Sequence, residues 1–434
     1  SRRMIWPLLP APVYFSAVSS GQIMRLERDG RSTSQITFEA RHILDFDVAA
    51  DAGTIMYVAG EGAAATLVAL DGGGRRELLS GSVSTPRASP DGQTAVFRID
   101  AAAPAQASDQ KPLRAGVWSI PAAGGQPSLV IADESLDGQT PPDGTAWSYT
   151  PIGYDQGGQR LLLSAYNLAG PAIPGGDLVI LSRSGGAPTR ARTCCEGAAW
   201  SADGSAITIT GGGPGPDIRY GLYQIDAATG KELAVIAQTE GMVPLVTGAR
   251  QLRDGKVYAF YQRVPTDTFS WDTPFTPQMV RVAAGGKAAP LREDSYPVGA
   301  ALWRDDASGA LIVRAGGDDA TETMIWLDSR GSPAVDTGAA GSSPRWADSA
   351  RPLYAGDCAL LPQIAWQPPQ ARAFSAGVAD LQARLSASSH AAGAPDGFFG
   401  DQTRAALRQF QTDRGLPPSG ALDCVTWQAL LGRP

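Results

Sequence analysis

The side chains that most often carry catalysis are scarce in this sequence. The chain has two histidines, His42 and His390, which limits general-base mechanisms and imidazole metal sites. Neighbouring aspartates at 305–306 and 318–319 have the chemistry of a glycosidase pair, although such clusters are also typical of solvated turns. No zinc-peptidase, serine-hydrolase, P-loop or dinucleotide-binding motif is present in its required context. The sequence predicts no catalytic residue, no metal site and no cofactor.

The four cysteines are Cys194, Cys195, Cys358 and Cys424, and none forms a Cys-x-x-Cys pair. Four cysteines allow three disulfide pairings. We favour Cys358 with Cys424, because this bridge would fasten the C-terminal segment to the preceding region. The adjacent Cys194 and Cys195 are either two buried thiols or a vicinal disulfide. The cysteine content is compatible with an oxidising compartment.

A loop at 266–277 contains Phe269, Trp271 and Phe275 without the alternation of a strand. An exposed aromatic cluster of this kind is typical of protein contact surfaces. The alternative is that these rings pack over a neighbouring sheet. We treat the three residues as candidates for contact with a protein partner.

Composition and charge exclude two classes of partner. The 434 residues carry a formal net charge of -7, and the pI is near 5.0, which argues against binding nucleic acid. The longest apolar stretch, at 4–18, is interrupted by three prolines, so we expect no membrane span.

Because the sequence starts with Ser1, we expect that an upstream signal peptide or anchor was removed or omitted.

From Pro12 to about Gly356 the sequence repeats a pattern of two hairpins with a period near 50 residues. The first turn of each unit is Asp-Gly or a close variant, followed by an apolar or alternating strand. The seven instances are 51–53, 91–92, 155–158, 203–204, 254–255, 306–309 and 348–349.

The second turn of each unit follows an alternating strand and ends in glycine, which adopts the positive φ of a tight hairpin without steric cost. The seven instances are 23–30, 67–72, 117–125, 178–186, 222–230, 279–286 and 324–331. Two interleaved sets of seven hairpins predict units of four strands, and a radial arrangement of such units leaves only short edges exposed.

The turn motif resembles the repeat of TolB-like β-propellers, in which a strand leads into Ser-Pro-Asp-Gly. The segments 89–92 and 201–204 are the most similar to it. The resemblance implies a mainly β fold with seven blades, while six or eight blades and a pair of β-sandwiches are the alternatives. We expect the strand at 13–18 to pair with 343–347 in one blade and so close the ring.

The period changes near the C-terminus, which predicts three units: a propeller at 1–358, a linker at 359–376 rich in Pro, Gln and Ala, and a three-helix domain at 377–434. A helical period of 3.6 appears in two apolar stripes, and Gly415 is well suited to end the second helix. The predicted helical core is Leu381, Leu385, Leu407, Phe410, Trp427 and Leu430.

The C-terminal segment resembles the peptidoglycan-binding domain of bacterial wall hydrolases. The matching residues are Asp396, Gly397, Phe398, Phe399, Gly400, Thr403, Ala406, Phe410, Gln411, Gly415, Leu416, Gly420, Asp423, Thr426 and Trp427. The resemblance implies non-covalent binding of the wall polymer without catalysis. The candidates for contact with glycan or stem peptide are Asp396, Phe399, Asp401, Thr403, Arg404, Gln409 and Gln411.

These features lead to one main hypothesis, a non-catalytic scaffold exported to the periplasm or cell envelope. Its helical domain would bind peptidoglycan, and its propeller would dock an envelope protein. The first alternative is a subunit of a larger envelope or extracellular assembly that uses both domains for protein contacts. The second is a propeller hydrolase or lyase that acts on wall material.

Overall fold

A computed structural model of the chain describes residues 9–49, 53–71, 74–100, 113–134, 147–167, 177–183, 188–191, 197–211, 220–270, 274–283, 286–314, 322–346, 376–422 and 424–430. Strands occupy the part before residue 347, and the longer helices occupy the part after residue 375. We call these parts the sheet region and the helical domain.

The strands of the sheet region are short and follow one another closely. In chain order they are β1 (Val13–Ala17), β2 (Ile23–Leu26), β3 (Thr33–Gln35), β4 (Ile43–Val48), β5 (Ile55–Ala59), β6 (Thr66–Asp71), β7 (Gly74–Ser80), β8 (Val83–Ala88), β9 (Thr94–Ile99), β10 (Gly116–Pro121), β11 (Ser128–Ala132), β12 (Trp147–Tyr154), β13 (Arg160–Asn167), β14 (Asp177–Ser182), β15 (Thr189–Ala191), β16 (Gly197–Trp200), β17 (Ala206–Gly211), β18 (Gly221–Asp226), β19 (Glu232–Ala237), β20 (Met242–Gln251), β21 (Val257–Pro265), β22 (Gln278–Val282), β23 (Ala288–Ser295), β24 (Val298–Trp303), β25 (Gly309–Arg314), β26 (Thr323–Asp328) and β27 (Val335–Trp346). The helical domain contains α1 (Ala376–Ala387), α2 (Asp401–Asp413) and α3 (Cys424–Leu430).

Five of the sheets each contain four consecutive antiparallel strands. They are β4–β7, β8–β11, β12–β15, β16–β19 and β20–β23, and the strand order within each sheet follows the chain order. This is the strand order of propeller blades, in which each blade is a meander built by tight hairpins. The predicted mainly β architecture of four-stranded units is therefore confirmed.

The sixth sheet has seven strands, because the long strand β27 joins both ends of the sheet region. The first half of β27 pairs with β26, with Val335 opposite Trp326. Its second half pairs with β1, with Arg345 opposite Tyr14. The predicted pairing of the N-terminal strand with the last strand is confirmed.

Adjacent sheets pack face to face through apolar side chains. The strand β5 shows why: all five of its residues are buried, since both of its faces lie against other side chains. Met56 and Val58 share one apolar cluster with Phe97 of β9, which belongs to the next sheet. A strand that is buried on both faces requires a continuous apolar run, and this explains the unbroken runs seen in the sequence.

The Asp-Gly turns are held by side-chain hydrogen bonds as well as by glycine. The Ser89 hydroxyl donates to Asp91 Oδ1 at 2.5 Å and accepts from the Thr94 amide at 3.0 Å. The Gly92 backbone has φ of 66°, in the left-handed region where a side chain would be strained. The hydrogen bond from Ser89 holds the pKa of Asp91 below its usual value.

A second turn of the same type lies in the sheet β16–β19. The Ser205 amide and the Ser201 hydroxyl both donate to Asp203 Oδ1, at 2.9 and 2.7 Å, and lower the pKa of this carboxyl. The same local chemistry therefore recurs where the sequence repeats Ser-x-Asp-Gly.

Two tryptophans connect the first strands of neighbouring sheets, and a third connects two strands of the seven-stranded sheet. The Trp200 indole donates to the Gly153 carbonyl at 3.1 Å, and the Trp303 indole donates to the Gly248 carbonyl at 2.5 Å. The Trp346 indole donates in turn to the Trp303 carbonyl at 2.9 Å. The bonds of Trp200 and Trp303 each join two separate sheets, so they help to fix how neighbouring sheets are arranged. The bond of Trp346 joins β27 to β24 within the seven-stranded sheet.

Ion pairs join β4 to β8 and to β27 of the two neighbouring sheets. Arg87 of β8 lies 2.8 Å from Asp45, and Arg345 of β27 lies 3.0 Å from Asp47. Both arginines follow a proline in the segments Thr85–Arg87 and 343–345. Thr85 has φ of 44° and the equivalent Ser343 has φ of 52°, so both first residues have an unfavourable backbone conformation that the surrounding contacts stabilise.

Candidate functional site

The helical domain is organised around an apolar core contributed mainly by α1 and α2. The buried cluster comprises Val378, Leu381, Leu385, Ala392, Phe399, Ala406, Leu407 and Phe410. Of the predicted core, Leu430 is half-buried, and the other five residues are buried. Some 55 residues cannot bury much apolar surface, so the polar contacts of this domain matter for its stability.

The end of α2 has the hydrogen bonds of a Schellman motif. The Leu416 amide donates to the Gln411 carbonyl at 2.7 Å, and the Gly415 amide donates to the Thr412 carbonyl at 3.0 Å. Gly415 has φ of 66°, which a residue with a side chain adopts only with strain. The prediction that Gly415 ends the second helix is confirmed.

Gln382 of α1 is a buried polar residue, with 2% of its surface exposed, and it fixes the loop before α2. Its amide nitrogen donates to Asp396 Oδ1 at 2.8 Å and to the Thr403 hydroxyl at 3.0 Å. Its amide oxygen accepts from the Gly397 amide at 3.0 Å. One side chain thereby satisfies several groups that would otherwise be buried without partners.

Gln411 of α2 does the same for the loop before α3, and its side chain is fully buried. The amide nitrogen donates to the Ala421 carbonyl at 2.9 Å and to the Thr426 hydroxyl at 3.0 Å. The amide oxygen accepts from the Gly420 amide at 2.8 Å. We call Gln382 and Gln411 the two glutamine hubs.

The two hubs show that the helical domain contains an internal repeat. In each half a glutamine of one helix binds a glycine amide in the following loop and a threonine hydroxyl in the next helix. Gly397 precedes Thr403 by six residues, and Gly420 precedes Thr426 by six residues. Gly397 and Gly420 both have positive φ, 73° and 67°, which explains why glycine is required at both places.

The structure divides the seven candidate contact residues into two groups. Phe399, Thr403 and Gln411 are buried, so their side chains serve the fold of the domain. The remaining four lie at the surface: Asp396, Asp401 and Gln409 are exposed, and Arg404 is half-buried.

The exposed face of α2 is polar and carries both charges. Asp401 lies in the first turn, and Gln409, two helical turns later, donates to Asp413 at 2.8 Å. Arg408, which the sequence reasoning missed, is exposed and lies with Arg404 against the loop at Gly420. The spacing of Arg404 and Arg408 by one helical turn was the signal that could have identified this basic edge. We call Asp401, Arg404, Arg408 and Gln409 the α2 face.

A polar face of this kind offers hydrogen-bond donors and acceptors to a ligand. His390 Nε2 lies 3.0 Å from Asp413 Oδ2, and the His390 ring lies edge-on to Phe410. Within the described part of the chain no three His, Cys, Asp or Glu side chains lie together as metal ligands. The donors and acceptors of the α2 face complement a polar ligand.

The aromatic loop of the sheet region is only partly described. The Phe269 ring lies edge-on to Tyr220, with ring centroids 5.2 Å apart, and Tyr220 precedes β18 in the neighbouring sheet. Phe275 is half-buried, and Trp271 lies outside the described residues. The contact of Phe269 corresponds to the alternative in which the loop packs over another sheet, and protein contact by this loop stays a prediction.

The first strands of the sheets surround a cavity of about 620 Å³. Small residues at 197–199, 248–249 and 299–301 line one side. Among its charged side chains, Arg345 pairs with Asp47, and Arg250 pairs with Asp305 at 3.2 Å. A third carboxylate of the lining, Asp155, pairs with Arg160 at 2.9 Å, so each of these charges has a partner of opposite sign.

Two further predictions concern cysteines and membrane helices. The side chains of all four cysteines, including the favoured pair Cys358 and Cys424, lie outside the described residues. None of the described helices has both the length and the apolar character needed to cross a bilayer.

Comparison with protein families identifies the helical domain. Residues 375–430 match the family described as "Putative peptidoglycan binding domain". The match spans the three helices and both glutamine hubs, and the predicted resemblance is confirmed. No curated protein matches the sequence of the chain.

The sheet region is similar to solved structures at low sequence identity. TolB from Acinetobacter baumannii is 12% identical, with a TM-score of 0.40 over 78% of this chain and 66% of that chain, just under two thirds of its length. An oligogalacturonate lyase from Vibrio parahaemolyticus is 10% identical, with a TM-score of 0.50 over 74% of this chain and 83% of that chain. The predicted resemblance to TolB-like propellers is confirmed. These likenesses concern the fold alone, and the names include a lyase, so the fold assigns no activity.

Proposed function

We propose that the helical domain binds peptidoglycan non-covalently and holds a non-catalytic sheet region at the bacterial cell wall. The observation that carries the proposal is the family match at 375–430, together with a polar and exposed α2 face, whereas the buried Gln382 and Gln411 are used internally. The protein then belongs in the periplasm or cell envelope as an exported protein, with the linker at 359–376 between the propeller and the helical domain.

For the sheet region we propose a seven-bladed propeller. Five sheets have four strands each, and the seven-stranded sheet divides within β27 into two further blades that share this strand. Its role is to dock an envelope protein. Charge-compensated pairs in the central cavity and the scarcity of histidine support a binding role over a hydrolase or lyase role.

The α2 face is the proposed contact with glycan or stem peptide. Asp401, Arg404, Arg408 and Gln409 present carboxylate, guanidinium and amide groups, which complement the hydroxyl, amide and carboxylate groups of the wall polymer. Asp396 is exposed as well, but its carboxylate already accepts hydrogen bonds from Gln382 and from the Phe398 amide. We therefore place it at the edge of the contact.

Sedimentation with purified sacculi tests the binding role. The full chain should sediment with sacculi, and a chain that ends at Ala371 should stay in the supernatant. Recovery of the shortened chain in the pellet would instead assign wall binding to the sheet region. Release of soluble muropeptides by the full chain would contradict the non-catalytic role, since binding alone releases nothing.

A further inference from the structure

Phe38 lies in the loop between β3 and β4, directly after a residue that is firmly held. Thr37 is buried, with 3% of its surface exposed. Its hydroxyl accepts from the Ile23 amide at 2.9 Å and donates to Gln22 Oε1 at 3.1 Å. The backbone on the N-terminal side of Phe38 is therefore fixed to β2.

The residue after Phe38 is held as well. The Glu39 amide donates to Gln22 Oε1 at 2.9 Å. The Glu39 carboxylate accepts from the Tyr57 hydroxyl at 2.5 Å and from Arg75 at 2.6 Å. With both neighbours anchored, the Phe38 ring is presented from a rigid loop, and little conformational entropy is lost when it makes a contact.

The partner of this ring is Trp427 of α3. The ring centroids of Phe38 and Trp427 are 6.1 Å apart and the ring planes are inclined by 70°, an edge-to-face geometry. The Arg384 guanidinium of α1 lies 5.5 Å from the centroid of the same indole. Trp427 is 4% exposed, and the adjacent Thr426 is bound by Gln411, so this buried ring is also held in a fixed position.

We infer that Phe38 and Trp427 form a docking contact through which the helical domain sits against the sheet region at the β3–β4 loop. The partner that fits this surface of the sheet region is the chain's own third helix. The contact joins two pre-positioned rings and uses no residue of the α2 face. Asp401 and Gln409 are exposed in this docked arrangement, so docking leaves the proposed wall-binding surface open.

Docking does not depend on the proposed function, because it involves only residues within this chain. Docking fixes the orientation of the helical domain. A helical domain held at the β3–β4 loop presents the α2 face in one orientation relative to the sheet region. An edge-to-face pair of this type shifts the equilibrium between the docked and the undocked domain by about two- to tenfold.

Hydrogen exchange of the full chain, followed by mass spectrometry, tests the inference with Phe38→Ala. We expect amides of α3 to exchange about two- to tenfold faster in this variant than in the unaltered protein. Phe38→Tyr keeps the ring and should exchange as the unaltered protein does. Leu44→Ala, which removes a 51% exposed side chain from the neighbouring β4, is the matched control and should leave α3 unchanged.

Unchanged exchange of α3 in Phe38→Ala would overturn the inference. Equal acceleration in Phe38→Tyr would also overturn it, because a ring would then be irrelevant. Acceleration confined to β3 and β4 would show that Phe38 serves its own loop and not the helical domain. Small-angle scattering provides a second measurement, since loss of docking should increase the maximum dimension of Phe38→Ala and not that of Leu44→Ala.

Discussion

The sheet region and the helical domain reach a stable core by different means. In the sheet region, apolar faces of adjacent sheets pack together, and strands such as β5 are buried on both faces. In the helical domain, two buried glutamines hold the loops that precede α2 and α3. The comparison shows that a repeated architecture distributes its stability over many similar contacts, whereas a domain of some 55 residues concentrates it in a few polar side chains.

Removing a glutamine hub should produce the largest effect. Gln411→Leu leaves the buried Gly420 amide without its hydrogen-bond partner, so we expect the free energy of unfolding of the helical domain to fall by about 1–3 kcal/mol. Urea titration monitored by hydrogen exchange of α1 and α2 measures this loss. The matched control is Gln409→Leu on the exposed side of the same helix, which should change the stability by less than about 0.5 kcal/mol. Equal losses of stability in the two variants would contradict a special role of the buried glutamine hubs.

Removing a single hydrogen bond between two sheets should lower the stability less than removing a glutamine hub. Trp303→Phe keeps most of the buried ring but deletes the hydrogen bond to the Gly248 carbonyl, so we expect a loss of about 1 kcal/mol in the sheet region. Trp118→Phe is the control, because the indole of Trp118 donates to the Arg114 carbonyl near solvent, where water replaces it. Thermal unfolding compares the two variants. A larger effect of Trp118→Phe would contradict the role of the central connections.

The aspartate turns should give the smallest effect, and it depends on pH. Hydrogen bonds lower the folded pKa of Asp91 and Asp203, so the stabilisation is present above the ordinary aspartate pKa of about 3.9 and is lost as the pH falls below it. Both groups are largely exposed, so each contributes less than about 1 kcal/mol. Asp203→Asn should flatten the stability curve of the sheet region between about pH 5 and pH 2. An unchanged slope of stability against pH would show that other carboxylates determine the pH dependence.

The sequence predicted the sheet region well because its information is local. Each turn carries its own Asp-Gly signal, and an unpaired strand at either end predicted that β1 would meet β27. The ion pairs of Arg87 and Arg345 were missed, although Thr-Pro-Arg and Ser-Pro-Arg stand at equivalent positions of two repeats. Long-range pairing of charges does not follow from one short motif.

In the helical domain the elements were predicted better than the roles of their side chains. Gln411, Thr403 and Phe399 were proposed as ligand contacts, but their side chains are buried. The sequence alone does not show whether a side chain in a loop-rich domain contacts a ligand or another part of the domain. A glycine and a threonine recur six residues apart, at 397 and 403 and again at 420 and 426. This spacing indicates the internal repeat and the structural role of the two threonines. Phe38 had no signal, since its partner lies almost 400 positions away in the sequence.

The central claim is that the α2 face holds this protein on peptidoglycan, and a binding titration with purified sacculi tests it most directly. The full-length variant Asp401→Ala/Arg404→Ala/Gln409→Ala should bind at least about tenfold more weakly than the unaltered protein, because charge-assisted hydrogen bonds are lost. The control Arg253→Ala/Lys256→Ala changes exposed charges of the sheet region and should bind normally. Unweakened binding of the triple variant, with its helices still protected from exchange, would contradict the account.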